Sequence, residues 1–414
     1  MKRSAGSKLL PVALLLAGAA CNVPEPPSPS GGTSEPPGSC GRGVVVVGSK
    51  YENSSNISLV GWDGSVLSES LISSASTKTG LSAPLSGDVV MPTTSSPDDR
   101  IVLIDRLAVS VLTWVDVRTA AVTGQLSVGT GFKSNPRDYV PLSERKAYVT
   151  RFEPNQQPGA EPNDAGNDIL IIDPSARAVT GRIPLESAFA GPPGFFPRAD
   201  RAVAMGGHVY VVLAGYSKNF MDFVDSRLVQ IDTQKDSVVD VKILDGLRGC
   251  SALALSPSAK RIAVACTGAR YGSAPDLGLS GVIVFELGQE LREFRRLSAP
   301  EFGGRSTGFG LDFASDELLL LTAYGNLETS PRTDALIELE LRNMTFRTLA
   351  NTQEEPFKFG DVRCAAACGV CYLADAELGV LQRFELDSEG KLGSSSSVEP
   401  DQRIGLPPVA LGGF

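Results

Sequence analysis

Histidine is almost missing from this chain. His208 is the one histidine in 414 residues, which excludes multi-histidine metal, haem and proton-relay sites. Tryptophan is nearly as scarce: Trp62 and Trp114 are the pair present, too few for any tryptophan motif that recurs along the chain. After residue 20 no apolar run reaches the ~20 residues of a membrane-spanning helix, and no stretch keeps the 3.6-residue period of an amphipathic one. Positive charge is short as well, with 38 Lys and Arg against 47 Asp and Glu, a net of −9. Such a chain is a poor match for nucleic acid or anionic lipid headgroups.

The N-terminus is different in kind. Lys2, Arg3 and Lys8 make a basic start, and Leu9 to Ala20 is an apolar run too short to span a bilayer, the pattern of a signal peptide. The stretch Gly18-Ala19-Ala20-Cys21 resembles a bacterial lipobox. That resemblance implies cleavage before Cys21, which becomes a lipid-anchored N-terminus, and Asn22 in place of Asp implies the outer membrane. Two or more acyl chains hold a protein on a membrane where one does not. Residues 22–39, NVPEPPSPSGGTSEPPGS, cannot build a core and read as a tether reaching on the order of 50 Å. The expected organisation is therefore signal peptide 1–20, lipidated cysteine and tether 21–42, and one folded domain 43–414. Without residues 1–20 the chain keeps 35 basic and 47 acidic residues, a net of −12.

From residue 43 onwards one pattern recurs: an apolar run, an acidic residue, a turn, an alternating run. Copies include LTWVDVRTAAVTGQLSV, ILIIDPSARAVTGRIPL and RLVQIDTQKDSVVDVKIL. The acidic markers are Asp63, Asp116, Asp173, Asp232, Glu286, Glu340 and Glu385, spaced 45 to 59 residues apart. A second hairpin precedes each marker, as in ALALSPSAKRIAVAC. Four strands at that period make one blade of a β-propeller. Lys146-Ala147-Tyr148-Val149-Thr150-Arg151, followed by ILIIDPSARAVTGRIPL, resembles the YVTN-type propeller repeat of secreted bacterial and archaeal surface proteins. Seven markers predict an all-β, seven-bladed propeller. Its first blade lacks an inner strand, and residues near 404–414 are expected to supply it, joining the C-terminus to the N-terminal blade.

Six cysteines follow Cys21, an even number in an exported chain, which favours disulfides. Cys250 and Cys266 are equidistant from the turn at Ser258, and Cys364 and Cys371 flank a shorter turn. Both pairs face across two antiparallel strands, leaving Cys368 to bridge Cys40 across the ring closure. The spacing C-x3-C-x2-C of CAAACGVC is also that of radical-SAM cluster motifs. Those stand near the start of a helical barrel, with an aromatic before the last cysteine, where Val370 stands here. No metal and no cofactor are expected.

Two features point to a site. The second-to-third strand connections are long in blades 3 to 6, and all must emerge on one face, the usual place for binding on a rigid scaffold. Arginines also recur where the chain enters the inner strand: Arg137, Arg198, Arg248, Arg305 and Arg363. Together they would make a positive mouth for an anionic ligand; the bland alternative pairs each with a carboxylate of the next blade. The carboxylate-rich run 161–168 supplies oxygens without EF-hand spacing. The expected function is a monomeric lipoprotein whose propeller binds an envelope protein, peptide or glycan partner. The alternative is a lactonase-like hydrolase working at the channel mouth.

Overall fold

The computed structural model describes residues 40–414, apart from 52, 96–98, 107–108, 289, 329 and the side chains of 394 and 395. The segments expected as signal peptide and tether, with Cys21, lie outside the described residues up to residue 39. Seven four-stranded antiparallel sheets form the blades of a propeller. Blades 2 to 7 each run from an inner to an outer strand in chain order, blade 3 for instance from Pro136–Ser143 through Lys146–Arg151 and Asp168–Asp173 to Ala178–Pro184. Among the described residues no helix is long and apolar enough to cross a membrane.

Blade 1 closes the ring. Its inner strand is Pro408–Gly413, paired with Gly43–Lys50 in a register that sets Val44 opposite Gly413 and Val46 opposite Leu411. The Phe414 carbonyl accepts from the Arg42 and Gly43 amides at 2.7 and 3.2 Å. Closure pairs the inner edge of Gly43–Lys50, which would otherwise stand open to another chain. The clasp is covalent too, because Cys40 is joined to Cys368 of blade 7 across 328 residues. Cys250–Cys266 and Cys364–Cys371 each link the inner two strands of their own blade, with Cα atoms 3.7 and 4.0 Å apart.

The run Val44-Val45-Val46-Val47 shows why the second strands read as unbroken apolar stretches. Strand geometry sends alternate side chains to opposite faces. Val45 and Val47 pack with Ile101 and Leu103 of blade 2, whereas Val44 and Val46 pack with Tyr372 and Leu381 of blade 7. Both faces are buried, so neither parity can be polar. Each fully buried valine contributes roughly 1.5 kcal/mol or more. Outer strands such as Thr345–Asn351 are mostly exposed and polar.

Five of the acidic markers are turn residues, Asp63 among them; in blade 7 Asp387 rather than Glu385 takes the turn amides, and Glu286 pairs with Arg292. Oδ1 of Asp116 accepts from the amides of Arg118 and Thr119, Asp173 from Ser175 and Ala176, and Asp232 from Gln234 and Lys235. Glu340 does the same for Arg342 and Asn343. The repeat keeps an acid there because a side-chain acceptor closes the turn between the third and fourth strands. Hydrogen bonds from Ser65, Thr119, Ala176 and Lys235 hold the carboxyls of Asp63, Asp116, Asp173 and Asp232 below the ordinary aspartate range, Asp173 at about 2.

Candidate functional site

Inner strands start on one face of the propeller, called upper here, and the second-to-third strand loops emerge on that face as well. The acidic turns, Cys40 and the Cys40–Cys368 bridge belong to the lower face. A cavity of about 930 Å³ opens at the centre of the upper face. The long loops expected from the sequence border it: Phe152, Tyr216, Phe220 and the segment 269–271 contribute to its wall.

One backbone device builds that wall. In six of the seven blades the inner strand slips register against its neighbour near its upper end. The slips fall between Pro136 and Asp138, Ala199 and Ala202, Cys250 and Ala252, Thr307 and Leu311, and Phe359 and Val362; in blade 1 Val409 is skipped. Bulges of this kind turn a side chain out of the regular alternation. The skipped residues Arg137, Asp200, Arg201, Ser251, Phe309, Asp361 and Val409 all line the cavity. Blade 6 shows the packing reason. A Cβ on Gly308 would stand 2.4 Å from Thr322 Oγ1, and one on Gly310 would stand 2.6 Å from the Gly360 carbonyl. With glycine on either side, the backbone swings inward and Phe309 projects into the cavity, 55% exposed.

Below this wall the channel is stitched shut. Asp138 Oδ2 accepts from the Ala202 amide of blade 4, and its Oδ1 from Thr93 of blade 2, at 2.8 and 2.9 Å. Asp312 Oδ2 takes the Cys364 amide, and Asp361 Oδ2 takes the Leu411 amide. Arg201 donates to the carbonyls of Met91 and Arg137. These carboxylates tie one blade to the next, and a small cavity of about 200 Å³ on the lower face is what remains of the channel there.

Of the five arginines expected at the mouth, Arg137 alone lines the cavity. Arg198 is 1% exposed, paired with Glu153 and donating to the carbonyls of Ser217 and Lys218. Arg248 pairs with Asp225 at 2.8 Å, and Arg305 donates to the Thr333 carbonyl at 2.8 Å. Arg363 is the fifth residue of its strand and reaches the lower half, where it bonds the carbonyls of Leu411, Thr93 and Pro92. The five-arginine mouth is therefore corrected to one of them. Strand entry fixes a sequence position, and the direction of the side chain depends on local backbone. Arg198, at φ 56°, turns back into the loops.

Three other arginines line the cavity, Arg106, Arg201 and Arg270. Arg106 donates to Asp88 through Nε at 2.9 Å. The Arg137 guanidinium lies over the Phe152 ring at 4.3 Å from its centroid, and its Nε has no hydrogen-bond partner among the described residues. Burial and the neighbouring Arg106 push its pKa down to about 10, leaving it cationic at neutral pH. Asp200 is 4% exposed and forms no hydrogen bond or ion pair among the described residues. Burial pushes its carboxyl up, against the pull of Arg137, Arg201 and Arg106. Tyr216 donates to the Ala269 carbonyl at 2.7 Å, and burial raises its hydroxyl to about 12. Phe309, Tyr324 and Phe357 form an aromatic side, with ring centroids 5.8 and 5.2 Å apart along the series.

His208 begins the second strand of blade 4, at the lower face and outside the cavity. The carboxylate run is already engaged: Asp164 takes the amides of Gly159, Ala160 and Glu161, and Asp168 pairs with Arg151. Among the described residues no group of three or more His, Cys, Asp or Glu side chains is placed to hold a metal.

No family model and no curated protein matches the sequence. Solved propellers do match the fold. A periplasmic gluconolactonase of Pseudomonas aeruginosa superposes with TM-score 0.58 at 12% identity, covering 89% of this chain and 98% of that one. The β-propeller domain of Cps50 (Swd1) from Myceliophteria thermophila gives 0.56 at 12% identity over 84% and 98%. Hydrazine synthase of Kuenenia stuttgartiensis gives 0.51 at 14% identity over 76% and 81%. At these identities the likeness carries the architecture alone.

Proposed function

We propose that this chain is an exported, lipid-anchored propeller of the YVTN-repeat kind that binds an envelope partner, a peptide or glycan, through the upper-face cavity. One observation carries the reading: six inner strands bulge at the same level, and the residues released by the bulges converge on one cavity. Propeller stability needs no such convergence, since regular pairing would serve it better. The long loops of blades 3 to 5 border the same opening, as binding loops on a rigid scaffold do. Export and anchoring rest on the basic start, the apolar run Leu9–Ala20, Cys21 and the proline-rich tether, with the outer membrane favoured by Asn22. The described chain begins at Cys40 on the lower face, held by Cys368.

The test is affinity capture from envelope extract with the full chain immobilised in detergent. Retained material should be lost when the cavity wall is cut back by Phe309→Ala with Phe357→Ala. It should survive Phe346→Ala, a change on the exposed outer strand of blade 6. Retention that ignores the cavity variant, or that fails equally with Phe346→Ala, overturns the proposal.

A further inference from the structure

Eight buried side-chain nitrogen or oxygen atoms lack a hydrogen-bond partner among the described residues, and four of them line the upper cavity. They are Asn135 Oδ1, Arg137 Nε, Ser251 Oγ and Arg270 Nε. The partnerless Asp200 carboxylate adds a fifth group. Leaving a buried polar atom unpaired costs about 1–3 kcal/mol, and native structures keep few of them. In the free protein water can answer such groups. Their gathering on one wall describes what would replace that water.

The charges define the first property. Arg106 is committed to Asp88 and Arg201 to two carbonyls. Arg137 and Arg270 donate no side-chain hydrogen bond among the described residues, and Asp200, whose charge is coupled to Arg137, accepts none; with Arg201 they leave the wall an excess of positive charge. The balance favours a ligand carrying net negative charge, and guanidinium groups match carboxylate geometry. The remaining groups define the second property: Asn135 Oδ1 and Asp200 accept, Ser251 donates or accepts, a set suited to several hydroxyls. The third is the exposed rings of Phe309 and Phe357, 55% and 58% accessible, which offer flat apolar faces. A sugar ring with a carboxylate uses all three.

We infer that the cavity takes a uronic-acid residue of an anionic glycan. Its carboxylate is held by Arg137 and Arg270, its ring face lies on the Phe309 and Phe357 side, and its hydroxyls go to Asn135, Ser251 and Asp200. This inference rests on the cavity being the binding site. At about 930 Å³ the space exceeds one pyranose, so a chain end rather than a lone sugar fills it.

Calorimetric titration of the detergent-solubilised full chain tests the assignment. The probes are trigalacturonate and triglucuronate, their carboxyl-reduced neutral counterparts, and a tripeptide with a free C-terminus. An acidic trimer should bind at least about tenfold more tightly than its neutral counterpart, a difference of about 1.4 kcal/mol. Arg137→Gln should abolish that preference, weakening the acidic trimer at least about tenfold more than the neutral one, with unaltered circular dichroism showing that the variant folds. Asn135→Ala should weaken acidic and neutral trimers together. Equal affinity for acidic and neutral trimers, an unaffected preference in Arg137→Gln, tighter binding of the tripeptide, or no binding of either acidic trimer would each overturn the inference. The capture experiment reads separately: retention that depends on Phe309 and Phe357 without trimer binding sinks the glycan assignment and keeps the cavity.

Discussion

The lower-face turns and the upper cavity use the same residue types and treat them in opposite ways. At the turns, Asp116, Asp173 and Asp232 each answer two backbone amides, and their carboxyls sit below the ordinary range. In the cavity, Asp200 answers none and burial pushes it up. The arginines divide in the same way within one blade. Arg151 is fully buried, pairs with Asp168 at 2.6 Å and also bonds Thr130 and the Asn163 carbonyl. Arg137, on the adjacent inner strand, has a ring beneath it and a partnerless Nε. The acidic turns and the Arg151–Asp168 pair are satisfied, whereas four of the eight partnerless buried atoms gather in the cavity. That division separates what keeps the ring closed from what is available to a ligand.

Breaking the frame should cost most. Replacing Cys40 and Cys368 together by serine frees a loop of more than 300 residues and should lower stability by about 6 kcal/mol in the chain-entropy model, read as a shifted urea midpoint. Next comes Asp168→Ala, which leaves Arg151 buried and unpaired; the loss should be about 3–5 kcal/mol. The double change Arg151→Met with Asp168→Leu should recover most of it. If the double variant is as unstable as the single one, the pair matters by shape rather than charge.

Cavity changes should run the other way. Asp200→Asn should raise stability at pH 7, because burial of the charge outweighs the pull of Arg137, Arg201 and Arg106. A raised carboxyl stabilises the fold only below its unfolded value, and that contribution is lost as pH rises through the folded one. The variant's advantage should therefore shrink towards zero in acid. The turns show the smallest effect and the opposite sign. A depressed carboxyl contributes fully above its unfolded value of 3.8 and loses that contribution as pH falls through the folded one, about 2 for Asp173. Asp173→Asn keeps an acceptor and removes the titration, so its urea midpoint should fall less than the wild type's between about pH 4 and pH 2.

Much of the frame was legible in the sequence because it follows from period and spacing. Two-sided burial turns the second strands into runs such as Val44–Val47, and most of the turns between third and fourth strands require an acceptor. The cysteine pairs follow from turn symmetry. The missing inner strand of blade 1 was visible as an unpaired segment at the C-terminus, found at Pro408–Gly413. The face of the site could be read from loop length. Its residues could not, because each depends on a bulge, and a bulge reverses the parity on which sequence reading relies. Grouping the arginines by strand entry gathered Arg198, Arg248 and Arg305, which serve the loops, and Arg363, which holds the lower channel. It overlooked Asp200, Ser251 and Phe309. The glycines around Phe309 were the one local signal, since Gly-Phe-Gly inside a strand marks a close backbone approach.

The central claim is that the bulged inner strands form the binding surface, and hydrogen–deuterium exchange on the full chain tests it directly. Exchange would be compared with and without the material retained from envelope extract. Protection should concentrate at 135–137, 199–201, 249–251 and 307–310, with the acidic turns at 116–119, 173–176 and 232–235 unchanged. Protection of the turns or outer strands, with the inner-strand bulges unchanged, would contradict the account.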